Sequence, residues 1–109
     1  MITWNDFEKI DIRVGTILAA QAFEKAKQPA YQLSIDFGDT GIKKSSAQIT
    51  HLYSMEDLIG KQIIAVVNFP PKQIANFFSE CLVLGVYNNN KEVVLLAVDK
   101  PILNGSKIC

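Results

Sequence analysis

Histidine and cysteine are both scarce: the 109 residues hold one histidine, His51, and two cysteines, Cys81 and Cys109. Two cysteines without a paired spacing build neither a disulfide framework nor a zinc site, so no metal is expected. Cys81 lies in an apolar run and reads as a small core residue, and Cys109 reads as a free thiol on a tail. His51 has no cluster of cysteines or carboxylates around it and reads as a solvated or hydrogen-bonded loop residue. The sequence also lacks a nucleophile elbow, a phosphate-cradling loop, a dinucleotide fingerprint and a zinc-protease helix. No catalytic residue and no cofactor are therefore expected. No apolar run approaches the ~20 residues that cross a bilayer. The start, Met1 to Asp6, has no hydrophobic signal region, so the expectation is a cytoplasmic protein without membrane insertion. Charge of one sign is lacking as well. Eleven Lys and Arg balance eleven Asp and Glu, so a nucleic-acid site would have to be a local patch.

What is present is a globular balance, 49% hydrophobic and 20% charged residues, in a length suited to one domain spanning 1–109. Thr3 and Asp6 have the spacing of a capping box, with Ile2 and Phe7 at the staple positions, which predicts a short N-terminal helix. Strand character follows from Ile10 to Leu18. Tyr31 to Phe37 alternates apolar and polar residues, as a half-buried strand does. Gly38 and Gly41 bracket a turn into a third strand, Ile42 to Ala47, forming a hairpin. Ser54, Asp57 and Gly60 are the N-cap, capping-box partner and left-handed stop of a one-turn helix. Three apolar runs remain, Gln62 to Asn68, Glu80 to Tyr87 and Glu92 to Val98. Pro70-Pro71 separates the first two, and Asn88 to Asn90, tolerant of positive φ, turns between the last two. About six strands with a helical turn between the third and fourth fit an all-β Greek-key barrel of the OB type. An SH3-like barrel or small sandwich is the competing architecture, and neither requires that helix.

Two stretches suggest binding. Lys43-Lys44-Ser45-Ser46-Ala47-Gln48 concentrates cations, hydroxyls and an amide, the usual partners of phosphate and sugar oxygens. With Lys72 after the Pro-Pro loop, and Asn68 and Ser79 as hydrogen-bonding neighbours, the nucleic-acid candidates are Lys43, Lys44, Ser46, Gln48, Asn68, Lys72 and Ser79. The second stretch is apolar: Phe69, Pro70, Pro71, Phe77 and Phe78 fall in a connection that should be polar. In an extended segment Phe77 and Phe78 face opposite ways, so one of them is left for a partner. These five are the polypeptide-binding candidates. Ile2, Trp4, Phe7 and Ile10 exceed what is needed to close one barrel end, and are the candidates for a homodimer interface.

Asp6-Phe7-Glu8-Lys9-Ile10-Asp11-Ile12-Arg13-Val14-Gly15 resembles the D-F-x-K-x-D-I-R-x-G opening of stand-alone tRNA-binding-domain proteins. Ile35 to Gly38, Ser45 to Thr50, Val66 to Lys72, Ser79-Glu80 and Leu82 to Gly85 are similar to the CsaA branch of that family. The resemblance runs from Asp6 to Ile108. It implies an OB-fold and a homodimer built from the N-terminal helix and the chain ends. It further implies an export-related chaperone whose partners are unfolded preproteins and the secretion ATPase. The wider family implies tRNA as the alternative ligand, bound alone or with an aminoacyl-tRNA synthetase. Where that family reads S-x-G-M, this chain has Ser79-Glu80-Cys81-Leu82. Asn76 replaces a usual Gly, and Phe78 stands where relatives carry Lys. A cation exchanged for Phe weakens a phosphate site and strengthens an apolar one.

Overall fold

Local hydrogen bonding starts the first element as the sequence predicts. The structure is a computed structural model describing residues 1–109. Helix α1 (Trp4–Glu8) opens on a complete capping box. Thr3 Oγ1 accepts from the Asp6 N–H at 3.2 Å, and the Thr3 N–H donates to Asp6 Oδ2 at 2.9 Å. Strand β1 (Ile12–Ala22) begins later and runs further than expected. Ala19 to Ala22 lack branched side chains, but pairing with the next strand holds them extended, and a bulge between Ile17 and Ala19 bends the strand there.

Strands β2 (Tyr31–Asp36) and β3 (Ile42–Ala47) form the expected hairpin, in register from Tyr31↔Ala47 to Asp36↔Ile42. Helix α2 (Met55–Leu58) follows, capped by Ser54 Oγ, which accepts from the Asp57 N–H at 3.2 Å. Only this half of the anticipated box forms. Gly60 then takes the left-handed conformation at φ +85°. Strand β4 (Gln62–Val66) returns antiparallel to β1.

Beyond β4 the long runs break into short strands: β5 (Lys72–Ile74), β6 (Phe77–Ser79), β7 (Leu82–Val83), β8 (Gly85–Tyr87) and β9 (Val93–Leu95). The β5–β6 hairpin replaces the connection that sequence left unstructured. Its two-residue turn puts Ala75, not a glycine, at φ +53°. The expected single strand from Glu80 to Tyr87 splits at Leu84, whose N–H bonds Ile64 O at 2.8 Å while its carbonyl takes the Leu96 N–H at 3.1 Å. Gly85 allows the change of sheet, because a Cβ there would lie 2.6 Å from Val93 Cγ1 and 2.8 Å from Val94 O. In the β8–β9 turn the positive φ falls on Lys91, not on an asparagine. Asn88 instead shapes the turn with its side chain, Oδ1 accepting from the Asn90 and Glu92 N–H groups at 2.9 Å each.

The main sheet has the order β3-β2-β1-β4-β7. Its ends approach each other, with the Glu80 N–H donating to Lys44 O at 2.7 Å and Ser45 Oγ donating to Cys81 O at 3.0 Å. The result is a nearly closed five-stranded barrel with α2 between its third and fourth strands, an OB-fold. Ile17, Leu33, Ile35, Phe37, Leu58 and Ile63 fill the core, and Ser45 is its one buried polar residue. The C-terminal segment lies along β1, with the Val14 N–H donating to Ser106 O at 3.0 Å and the Gly105 N–H donating to Val14 O at 2.7 Å. Arg13 braces this seam, its Nε on Asp11 Oδ1 at 2.6 Å and an Nη on Gly105 O at 3.0 Å. No helix is long and apolar enough to cross a membrane.

Candidate functional site

The alternation of β2 and β3 decides which side chains meet a ligand. Leu33, Ile35, Ser45 and Ala47 turn inward and are buried. Their neighbours form two outward rows across three strands, Ala19–Ser34–Lys44 and Gln21–Gln32–Ser46. Within the second row, Gln21 Nε2 donates to Gln32 Oε1 at 2.8 Å. The β5–β6 hairpin stands beside this face. Lys72 and Ser79, and Ile74 and Phe77, are cross-strand pairs on one side of it, and Gln73 and Phe78 are paired on the other. Phe77 packs edge-to-face on Phe23, with ring centroids 5.4 Å apart.

Two cavities open on the outward rows. One, of about 330 Å³, is lined by Lys25, Lys27, Gln28, Ser46, Gln48 and Lys72, among others, with no carboxylate in its wall. The other, about 190 Å³, lies among Gln21, Gln32, Ser34, Lys44 and Phe77. Lys25, Lys27, Lys44 and Lys72 are in no ion pair; the two pairs in the molecule are Lys9–Asp6 and Arg13–Asp11. An acid-free pocket walled by three free ammonium groups is a local positive field on a chain of zero net charge.

Sequence reasoning missed Lys25 and Lys27. They lie outside the strands, and only folding carries them to Lys72. The available signal was the Lys-x-Lys spacing between Phe23 and Pro29. The other candidates divide by position. Lys44, Ser46, Gln48 and Lys72 are gathered on or beside the outward face. Lys43 is not, because it shares its side of β3 with buried Ser45 and pairs with Ile35. Ser79 Oγ is already engaged, accepting from the Ser46 N–H at 3.2 Å and donating to Cys81 O at 3.2 Å. Asn68 is engaged on both sides of its amide, Nδ2 donating to Lys9 O at 2.8 Å and Oδ1 accepting from the Asp11 N–H at 3.0 Å.

The apolar candidates divide as well. Phe69 and Pro70 line a cavity of about 300 Å³ with Lys72, Ser79, Glu80, Cys81 and Leu82. Phe69 and Phe78 are each 55% exposed, whereas Phe77 turns to the outward rows of the barrel. Cys81 in this wall is chemically quiet, since burial pushes its thiol up to about 11. A third region gathers the N-terminal apolar residues. Ile2, Trp4 and Phe7 border a cavity of about 710 Å³ with Cys109, and Trp4 is 85% exposed. Ile10 and Ile108 extend the same surface.

Comparisons with known proteins agree with this architecture. The family described as "Putative tRNA binding domain" matches residues 12–107. A methionine–tRNA ligase of Methanocaldococcus jannaschii is 37% identical over 101 residues, 93% of this chain. The chain spans only 15% of that relative's length. Solved structures match over the whole chain, two of them CsaA chaperones. Chaperone CsaA from Bacillus anthracis is 52% identical with a TM-score of 0.95, covering 100% of this chain and 99% of that one. A CsaA chaperone protein from Picrophilus torridus is 58% identical with a TM-score of 0.94, covering 100% of both. Fold, motifs and family match converge: this chain is a CsaA-like member of the tRNA-binding domain family.

Proposed function

We propose that this protein is a non-catalytic, CsaA-like chaperone of the cytoplasm that holds unfolded preproteins for export as a homodimer, without ATP hydrolysis. The observation that carries the reading is the pair Phe69 and Phe78, each 55% exposed on the two sides of the rigid Pro70-Pro71 corner and the β5–β6 hairpin. Large aromatic surfaces on a preset backbone hold an extended chain at low ordering cost, and they read no particular sequence. Pro71 fixes the corner, and Phe77 anchors the hairpin on Phe23. The uncovered Ile2, Trp4, Phe7 and Ile10 surface is where two copies would join, which puts two weak sites on one particle and gains avidity for a long client. The secretion ATPase is the downstream partner this reading implies. Residues 1–109 act in it as one domain.

A second reading, tRNA binding, is favoured by the acid-free pocket of Lys25, Lys27 and Lys72. Salt separates the two. Contacts from about four lysines give a log–log slope of roughly −3 to −4 against salt, while apolar client binding changes little. Binding of a denatured client and of tRNA, each measured across a salt series, is the experiment. Client binding that collapses in parallel with tRNA binding overturns the chaperone reading.

A further inference from the structure

The two cavities on the outward face are neighbours built to different chemistry. Gln32 in the smaller one is the cross-strand partner of Ser46 in the larger. Phe77 in the smaller is likewise the cross-strand partner of Ile74 in the larger. Directly opposed residues have Cβ atoms about 5 Å apart, so the cavities adjoin along two rungs. The larger is cationic. The smaller is part aromatic and part amide: Phe77, held by Phe23, forms one wall.

The Gln21–Gln32 hydrogen bond leaves a specific pattern exposed. It uses one Gln21 Nε2 proton and one Gln32 Oε1 lone pair. Gln32 Nε2 and Gln21 Oε1 make no other hydrogen bond, so a donor and an acceptor stand side by side at the cavity wall. The Ser34 hydroxyl and the Lys44 ammonium complete the wall, both without a side-chain partner. At about 190 Å³ the cavity falls below the usual drug-sized range of roughly 300 Å³ upward. Ala19, Ala20 and Leu33 complete the apolar part of the wall, so a flat ring with an apolar face and a donor–acceptor edge fits this chemistry.

We propose that this face takes one unpaired nucleotide, its phosphate among Lys25, Lys27 and Lys72 and its base in the adjoining cavity against Phe77, with the base edge on the free Gln32 amide and Gln21 carbonyl. The inference rests on the tRNA-binding reading and goes beyond it. Phosphate contacts alone accept any strand, duplex included, whereas a base cavity requires the base to be out of its stack. The protein therefore prefers looped or single-stranded RNA to paired RNA.

The probes are a short fluorescently labelled single-stranded RNA, the same strand paired to its complement, and a strand of abasic nucleotides that keeps every phosphate. Wild-type protein is expected to bind the intact strand about tenfold more tightly than either control, within the range a single base–aromatic stack contributes. Gln32→Ala, and independently Phe77→Leu with its fold checked by melting, bring the three affinities together. Lys25→Ala with Lys27→Ala weakens all three alike and lowers the salt slope by about one, because both lysines serve the same phosphate. Equal wild-type affinity for intact and abasic strands, with the lysine effect retained, overturns the base cavity and leaves the tRNA-binding reading standing. Absence of binding to any strand at low salt overturns both.

Discussion

Asn68 holds Asp11 in place from 57 residues away: its Oδ1 accepts the Asp11 backbone N–H at 3.0 Å. The same side chain donates to Lys9 O at 2.8 Å, so one carboxamide brackets the exit from helix α1. Asp11 in turn receives Arg13, and Arg13 reaches the C-terminal turn at Gly105. Residues of the family-like opening D-F-x-K-x-D-I-R thus act structurally, tying both chain ends to the barrel wall. Asn68→Ala should lose about 1–2 kcal/mol of stability, two hydrogen bonds at about 1 each. Affinity for RNA should be unchanged in the folded variant. Denaturant unfolding and an RNA titration read the two quantities separately.

The β5–β6 turn carries a correctable strain. Ala75 sits at φ +53°, where a Cβ costs about 1–2 kcal/mol relative to glycine. Ala75→Gly should stabilise the protein by about 1 kcal/mol once the entropy of the unfolded chain is deducted. For a domain of this size that corresponds to a rise of about 4 °C in melting temperature. A fall would mean that the Ala75 methyl is packed rather than strained.

The chain's local signals were legible where their partners lie within one turn. Thr3 with Asp6 and Ser54 with Asp57 are bonds across three residues, and Gly60 at φ +85° lies in the turn closed by the Lys61 N–H on Leu58 O. The strict alternation of Tyr31 to Phe37 was equally plain, and with it the β2–β3 hairpin; the order β3-β2-β1-β4-β7 depends on pairings between distant strands and was not. The β5–β6 hairpin was hidden because Pro70-Pro71 marks a break and the turn residues, Ala75 and Asn76, include no glycine. Asn68 and Ser79 look like ligand-binding residues in isolation. Their hydrogen bonds to Lys9, Asp11 and Ser46 exist only after the barrel closes. Lys25 and Lys27 were overlooked for the same reason: nothing near them in sequence tells that Lys72 will share their cavity.

Alkaline pH tests the packing of Cys81. Its thiol is raised from 9.0 to about 11, first by desolvation, so the folded state holds the proton more tightly than the unfolded chain. The stabilisation is complete below pH 9, is lost as pH rises toward about 11, and amounts to about 2–3 kcal/mol. Cys81→Ala should start less stable at neutral pH, for lack of the buried sulfur, and lose less on going to high pH. Unfolding free energies of the two proteins should converge between pH 9 and about 11. Parallel curves would place the thiol in contact with water. A thiol reagent applied to the native wild type should label Cys109 and spare Cys81.

On the proposed chaperone reading, client holding depends most directly on Phe78, whose side chain leaves β6 on the side away from Phe77. Being 55% exposed, it contributes little to the core of the isolated chain. A client that buries the exposed 55% of the ring gains roughly 1–1.5 kcal/mol from it. The decisive measurement is suppression of aggregation of a denatured client by Phe78→Ser, beside the melting temperature of the same sample. An unchanged melting temperature and a loss of most of the suppression are expected. Full suppression by a normally folded Phe78→Ser protein would contradict the chaperone reading.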